Sequence, residues 1–271
     1  MLRGRVVMVI DEKVLDKRVE SMPIREDLSV RLIVLVRRNF SFDGIKLVSE
    51  INCYGKTVKE WAVSSAGEFP CKVVEYGLSD NIVDLIKPYL GNEAITIALY
   101  CETPLIRHAT LVDLVNDFIY KRQRVRRFKR GYIFDTAFLR NAESVVAPEI
   151  GNENGEDFMP ITNATDLNNI MQIMKRRIMA YHITNGVQIV DINSTYIEAE
   201  VELQAGVVVY PNNNILGKTF IEKGAVLYPN NVIKDSYICE NAVLKGAYIE
   251  SAKVQPNAVV EPYTKVLPKN E

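Results

Sequence analysis

An aliphatic residue at every sixth position restricts the possible folds of this chain more than any other feature. The series Ile197, Leu203, Val209, Ile215, Ile221, Leu227, Ile233 is unbroken, and it continues through Ile238, Leu244, Ile249, Val254, Val260 and Val266 with three steps shortened to five. A helix repeats near 3.6 residues and a strand near 2, so neither yields a period of six. A triangular prism does: each hexapeptide gives one short strand and a corner, and every sixth side chain points inward. The residues two before these positions, among them Thr195, Val201, Val207, Asn213, Thr219, Ala225 and Asn231, are of small or moderate size, as crowded corners require. Asn212, Asn213, Asn214, Asn230, Asn231, Gly217, Gly224 and Gly246 predict tight turns with positive φ. Hexapeptide repeats mark parallel β-helices, and one is predicted over residues 183–271. Its left hand is that of the repeat family and does not follow from the spacing.

The 271 residues leave room for a second domain. Lys and Arg number 33 against 34 Asp and Glu, so no bulk field draws the chain to nucleic acid or to a membrane surface. One local exception is Lys121–Arg130, with seven cations in ten positions, which reads as a solvated loop or helix or as a patch for an anionic partner. Cys53, Cys71, Cys101 and Cys239 are scattered, with no paired spacing, which points to reduced thiols. No apolar run reaches the length of a membrane span, and Met1–Ile10 is too short and charged for a signal peptide. A cytoplasmic protein is the expectation.

Before the repeats, strands alternate with helices. Strands are expected at Arg5–Ile10, Val30–Val36, Cys71–Tyr76, Ala94–Tyr100 and Gly131–Asp135. A polar helix or loop is expected over Asp11–Glu20, and helices over Lys56–Ala66, Asn81–Tyr89 and Leu111–Tyr120. This alternation argues for an open α/β sheet over residues 1–160. Val145–Ile161 is the most linker-like stretch. A connecting helix is expected over 161–182, capped by Thr162 or Thr165, with Arg176 and Arg177 complementing its C-terminal dipole.

On the residues His182, Gly186, Val187, Asp191, Thr195, Tyr196 and Ile197, the pairs Pro211-Asn212 and Pro229-Asn230, and the close Glu261-Pro262-Tyr263, the chain resembles a known family. It is that of the bacterial bifunctional N-acetylglucosamine-1-phosphate uridyltransferase / glucosamine-1-phosphate acetyltransferase. The resemblance implies a Rossmann-like nucleotidyltransferase-type α/β domain, here shortened, followed by a left-handed parallel β-helix. It further implies a homotrimer formed through the β-helix, a nucleotide-sugar ligand and Mg²⁺ as cofactor.

Several departures bear on activity. Where the family has a glycine-rich phosphate loop, this chain has Val36-Arg37-Arg38-Asn39-Phe40. Glycines let backbone N–H groups close around phosphates; Arg37 and Arg38 can contact them only through side chains. Tyr100-Cys101-Glu102-Thr103-Pro104-Leu105 resembles the family motif whose Asp binds Mg²⁺, with Glu102 in that place. Lys46 matches a phosphate-contacting lysine by position and is otherwise a surface lysine at a strand end. Cys101 has no adjacent base to make it a nucleophile. The stretch before Gly131 is shorter than in the family, and the acetyltransferase coils lie beyond the part matched here, so acetyl transfer is not expected. His182 reads as a structural or surface histidine. Two functions follow: a trimeric binding or scaffold protein that has lost catalysis, or an active Mg²⁺-dependent transferase making UDP-N-acetylglucosamine and pyrophosphate from UTP and N-acetylglucosamine-1-phosphate. No residue is assigned a catalytic role.

Overall fold

Leu32 to Val36 are five aliphatic residues in succession, all buried. Such a run needs cover on both faces and favours a central parallel strand. The computed structural model, which describes residues 29–143, 145 and 155–268, places it in β1 (Val30–Arg37). The hairpin β2 (Asn52–Cys53) and β3 (Lys56–Thr57) leads into α1 (Val58–Ser64). The Thr57 hydroxyl accepts the Glu60 N–H at 3.1 Å, and the Glu60 carboxylate accepts the Thr57 N–H at 2.7 Å, which satisfies two orphan donors at the helix start. Then come β4 (Cys71–Tyr76), α2 (Ile82–Ile86), β5 (Ile95–Tyr100), α3 (His108–Tyr120), β6 (Val125–Phe128), β7 (Gly131–Asp135) and α4 (Thr136–Asn141).

The sheet order is β4-β1-β5-β7-β6. β1 is parallel to β4 and β5, and β7 is antiparallel to β5 and β6. The chain leaves β1 for β4 on one side and returns past it to β5 on the other. The carboxyl ends of β1 and β5 therefore flank a point where the strand order reverses, the usual place for ligands in open α/β sheets.

Two expectations are corrected. Lys121–Arg130, read as a solvated loop or helix, contains β6, and three of its cations are engaged within the domain. Lys121 and Arg126 both pair with Asp117, and the Arg127 guanidinium lies 5.8 Å from the Tyr132 ring centre. The linker-like stretch is anchored at its end: Phe158 and Ile161 are buried, and Asp157 receives Arg107 Nε at 3.0 Å and the Thr110 hydroxyl. The strand expected at Arg5–Ile10, the polar segment Asp11–Glu20 and positions 146–154 lie outside the described residues.

Helix α5 (Ala164–Thr184) is capped by neither Thr162 nor Thr165. Asn163 Oδ1 accepts the Asp166 N–H at 2.9 Å. The helix also runs past the predicted end, leaving Arg176 and Arg177 about two turns short of its C-terminus. Two compact units divide within it, between Met171 and Gln172.

After α5, strands of two or three residues are dealt in rotation to three parallel sheets. Each sheet stacks one inward row. Ile189, Val209, Leu227, Leu244 and Val260 are in register in the first, Ile197, Ile215, Ile233, Ile249 and Val266 in the second, and Leu203, Ile221, Ile238 and Val254 in the third. Of the thirteen positions that the period picked out, every one from Ile197 to Val260 is buried. The corner forecast is half right. Asn212, Asn230, Gly217, Gly224 and Gly246 have positive φ, whereas Asn213 and Asn231 are fully buried and bond inward. Among the described residues no helix is long and apolar enough to cross a membrane.

His182, near the end of α5, is fully buried, and neither ring nitrogen has a hydrogen-bond partner. Desolvation lowers its imidazole to about 4. The unfolded chain, titrating near 6.5, takes up the proton first as the pH falls. Stability is whole above that value and erodes between about 6.5 and 4, by up to about 3 kcal/mol from this residue. Urea unfolding at pH 7 and pH 4, compared between wild type and His182→Leu, should show the acid-side loss shrinking by that amount in the variant.

Candidate functional site

The carboxyl ends of β1, β4 and β5 open onto a cavity of about 420 Å³, within the roughly 300–1,000 Å³ range of small-molecule sites. Arg37 closes β1, Tyr76 and Gly77 follow from β4, and Tyr100 and Glu102 from β5; Ile161 and Thr162 complete the wall ahead of α5. Arg130 reaches the same edge from the β6–β7 hairpin. The Tyr100 N–H donates to the Arg130 carbonyl at 3.1 Å, setting the register in which Leu99 faces Gly131. A Cβ on Gly131 would stand 2.2 Å from the Ala98 carbonyl oxygen, so only glycine admits this approach.

Glu102 is 6% exposed. Burial raises its carboxyl above the ordinary range, while Arg130, Arg37 and backbone amides act in the opposite direction. Its carbonyl accepts the Ile161 N–H at 2.8 Å. Arg130 donates through Nε to the Thr103 hydroxyl at 3.1 Å, with its guanidinium 5.7 Å from the Tyr100 ring centre. The Arg37 guanidinium lies 4.8 Å from the Phe40 ring centre. Tyr76 and Tyr100 pack with ring centres 5.5 Å apart, and burial pushes the Tyr76 phenol up to about 12.

The sequence candidates are thus separated. Arg37 and Glu102 face one cavity. Arg38 pairs with Asp80, whose carboxylate also takes the Gly77 N–H at 2.8 Å and stands at the cavity wall. Lys46 is exposed on the loop after β1, a turn wrapped on Asp43, and does not line the cavity. Cys101 is buried, and burial pushes its thiol up to about 12, which leaves no thiolate at neutral pH. Sequence reasoning missed Arg130, which sat inside the basic run, and the two tyrosines.

A resident Mg²⁺ would need oxygen ligands in near-octahedral order, commonly carboxylates with water and phosphate. Glu102 offers one buried carboxyl that already sits in the field of two guanidiniums, and the Asp80 carboxylate is engaged by Arg38. Among the described residues no group of three or more His, Cys, Asp or Glu side chains is arranged to hold a metal. The donor set does not fit a resident Mg²⁺.

No family model matches the chain. Among curated proteins, the Bifunctional protein GlmU of Clostridioides difficile is 32% identical over 140 residues, covering 52% of this chain and 30% of that protein. The Bifunctional protein GlmU of Caldicellulosiruptor saccharolyticus is 34% identical over 139 residues, 51% of this chain and 30% of that protein. Among solved structures, a cytidylyltransferase from Leptospira borgpetersenii serovar Hardjo-bovis is similar at a TM-score of 0.30 and 17% identity, over 41% of this chain and 62% of that one. The chain thus spans less than a third of the length of these curated relatives. Over about half of its own length, the chain is similar to the bifunctional GlmU proteins.

Proposed function

We propose that the α/β unit is a nucleotidyltransferase-type domain that binds a nucleotide sugar at the carboxyl edge of its sheet and does not turn it over. The observation carrying this reading is the meeting of Arg37, Arg130, Tyr76 and Tyr100 in one cavity at the strand-order reversal. Guanidiniums suit phosphate oxygens and tyrosine rings suit a base or sugar face. The described residues at this edge argue against transfer: the neighbouring Cys101 stays a thiol, Glu102 is enclosed, and arginines stand where the family has glycines. The alternative, an active uridyltransferase, separates cleanly in one pair of assays. Calorimetric titration of UDP-N-acetylglucosamine should give micromolar binding, while UTP with N-acetylglucosamine-1-phosphate and Mg²⁺ should release no pyrophosphate. Release at enzymatic rates would favour the alternative, and absence of binding would remove the reading.

The second unit we read as a left-handed parallel β-helix that joins three copies of the chain. The rotation of strands through three parallel sheets supports the helix. The outer face of one sheet supports the assembly: Val190, Val208, Tyr210, Val226, Tyr228, Val243 and Val259 alternate with its buried row, and Val259 is 53% exposed. A contiguous apolar strip of this kind is a protein-contact surface, and cyclic closure is the usual outcome for identical chains. Light scattering should give three times the 30.7 kDa chain mass, falling to one chain in Val226→Asp with the far-ultraviolet spectrum unchanged.

A further inference from the structure

We infer that Arg37 and Arg130 do the work of a divalent cation in this cavity, with Glu102 as their built-in counter-ion, so that the diphosphate of the ligand binds without metal. The inference rests on the binding role proposed above for the same cavity and goes on to its chemistry. A phosphate site must supply positive charge, and a metal ion commonly does so. Here the charge is supplied by two side chains from opposite sides of the switch point, one ending β1 and one preceding β7. Both are held. Arg130 spends Nε on Thr103 and lies against Tyr100, which leaves its terminal nitrogens for a ligand; Arg37 lies against Phe40. A planar fork fixed in this way loses little rotamer freedom on meeting phosphate oxygens.

Neither guanidinium is taken up in an ion pair among the described residues, although Glu102 lines the same cavity as both. Arg38, next in sequence to Arg37, shows the contrast, because its charge is spent on Asp80. When ionised, Glu102 balances the two cations and opposes the arrival of an anion. A carboxylate that ligated Mg²⁺ would do the reverse, since it would recruit the ion that the phosphates need.

That opposition of sign makes the test. Binding of UDP-N-acetylglucosamine would be titrated into wild type in magnesium and in excess EDTA, and into Glu102→Gln in both buffers. Equal affinity of wild type in the two buffers is expected, with about tenfold tighter binding in Glu102→Gln once the competing charge is gone. Circular dichroism of Glu102→Gln would establish that the isosteric change leaves the fold intact, and the comparison of buffers needs no variant. Binding by wild type that requires magnesium would overturn the inference and leave the nucleotide-sugar reading standing, as would weaker binding by a folded Glu102→Gln. Absence of binding in both buffers would overturn both.

Discussion

Replacing Asn231 by Ala is expected to cost about 3–5 kcal/mol of stability, the largest loss from any one side chain considered. Asn213 and Asn231 form a ladder inside the corners of the second unit. The Asn213 amide nitrogen reaches the carbonyls of Tyr210 at 2.6 Å, Tyr228 at 3.1 Å and Leu227 at 3.2 Å. Its oxygen accepts the Asn231 amide at 2.8 Å, and the Asn231 oxygen accepts the Ala247 N–H, also at 2.8 Å. Truncation at 231 leaves the Ala247 N–H without its acceptor and weakens the Asn213 oxygen and the Leu244 carbonyl, all in a dry interior. Each buried polar group left unmade costs about 1–3 kcal/mol, and the vacated volume adds to it. Urea unfolding followed by circular dichroism gives the difference directly. Lys265→Ala, at an exposed outer position two strands further along the same sheet, should stay within about 0.5 kcal/mol of wild type.

The second large effect lies in the cavity. Arg130→Ala and Arg37→Ala should each weaken UDP-N-acetylglucosamine binding by about ten- to a hundred-fold, from charged hydrogen bonds worth about 1.5–3 kcal/mol apiece. Lys46→Ala should leave it unchanged, because Lys46 is exposed on a loop outside the cavity. The pattern, two arginines that matter and one lysine that does not, keeps Arg37 from the sequence candidates, drops Lys46 and adds Arg130.

Much of this fold was legible because its elements announce themselves through burial. β1 carries an unbroken apolar run from Leu32 to Val36, β5 is buried from Ile95 to Leu99 with Thr96 as its one polar residue, and the sixfold rows fall in register in three parallel sheets. β6 was not legible, since Val125-Arg126-Arg127-Phe128 reads as charge. The Arg127 guanidinium lies against the Tyr132 ring and the Arg126 guanidinium meets Asp117 on α3, so a strand with two cations is half buried. Arg130 escaped for a related reason. Its place at the cavity depends on the antiparallel register of β5 with β7, and no local pattern encodes that register. At the corners the residue type was read correctly and its role was not. Asn212 and Asn230 take the left-handed turns that asparagine tolerates, and the asparagines that follow them are drawn inside as hydrogen-bond spacers. Lys46 matches a phosphate-contacting lysine by its position in the chain, but Asp43 gathers the N–H groups of Ile45 and Lys46 into an exposed turn outside the cavity.

The most direct test of the central claim is a crystal structure of the full chain with UDP-N-acetylglucosamine bound. The diphosphate is expected between the Arg37 and Arg130 guanidiniums, at the carboxyl ends of β1 and β5, with the remainder of the ligand against Tyr76 and Tyr100. A ligand seated elsewhere on the chain, or a cavity that stays empty at saturating concentration, would contradict it.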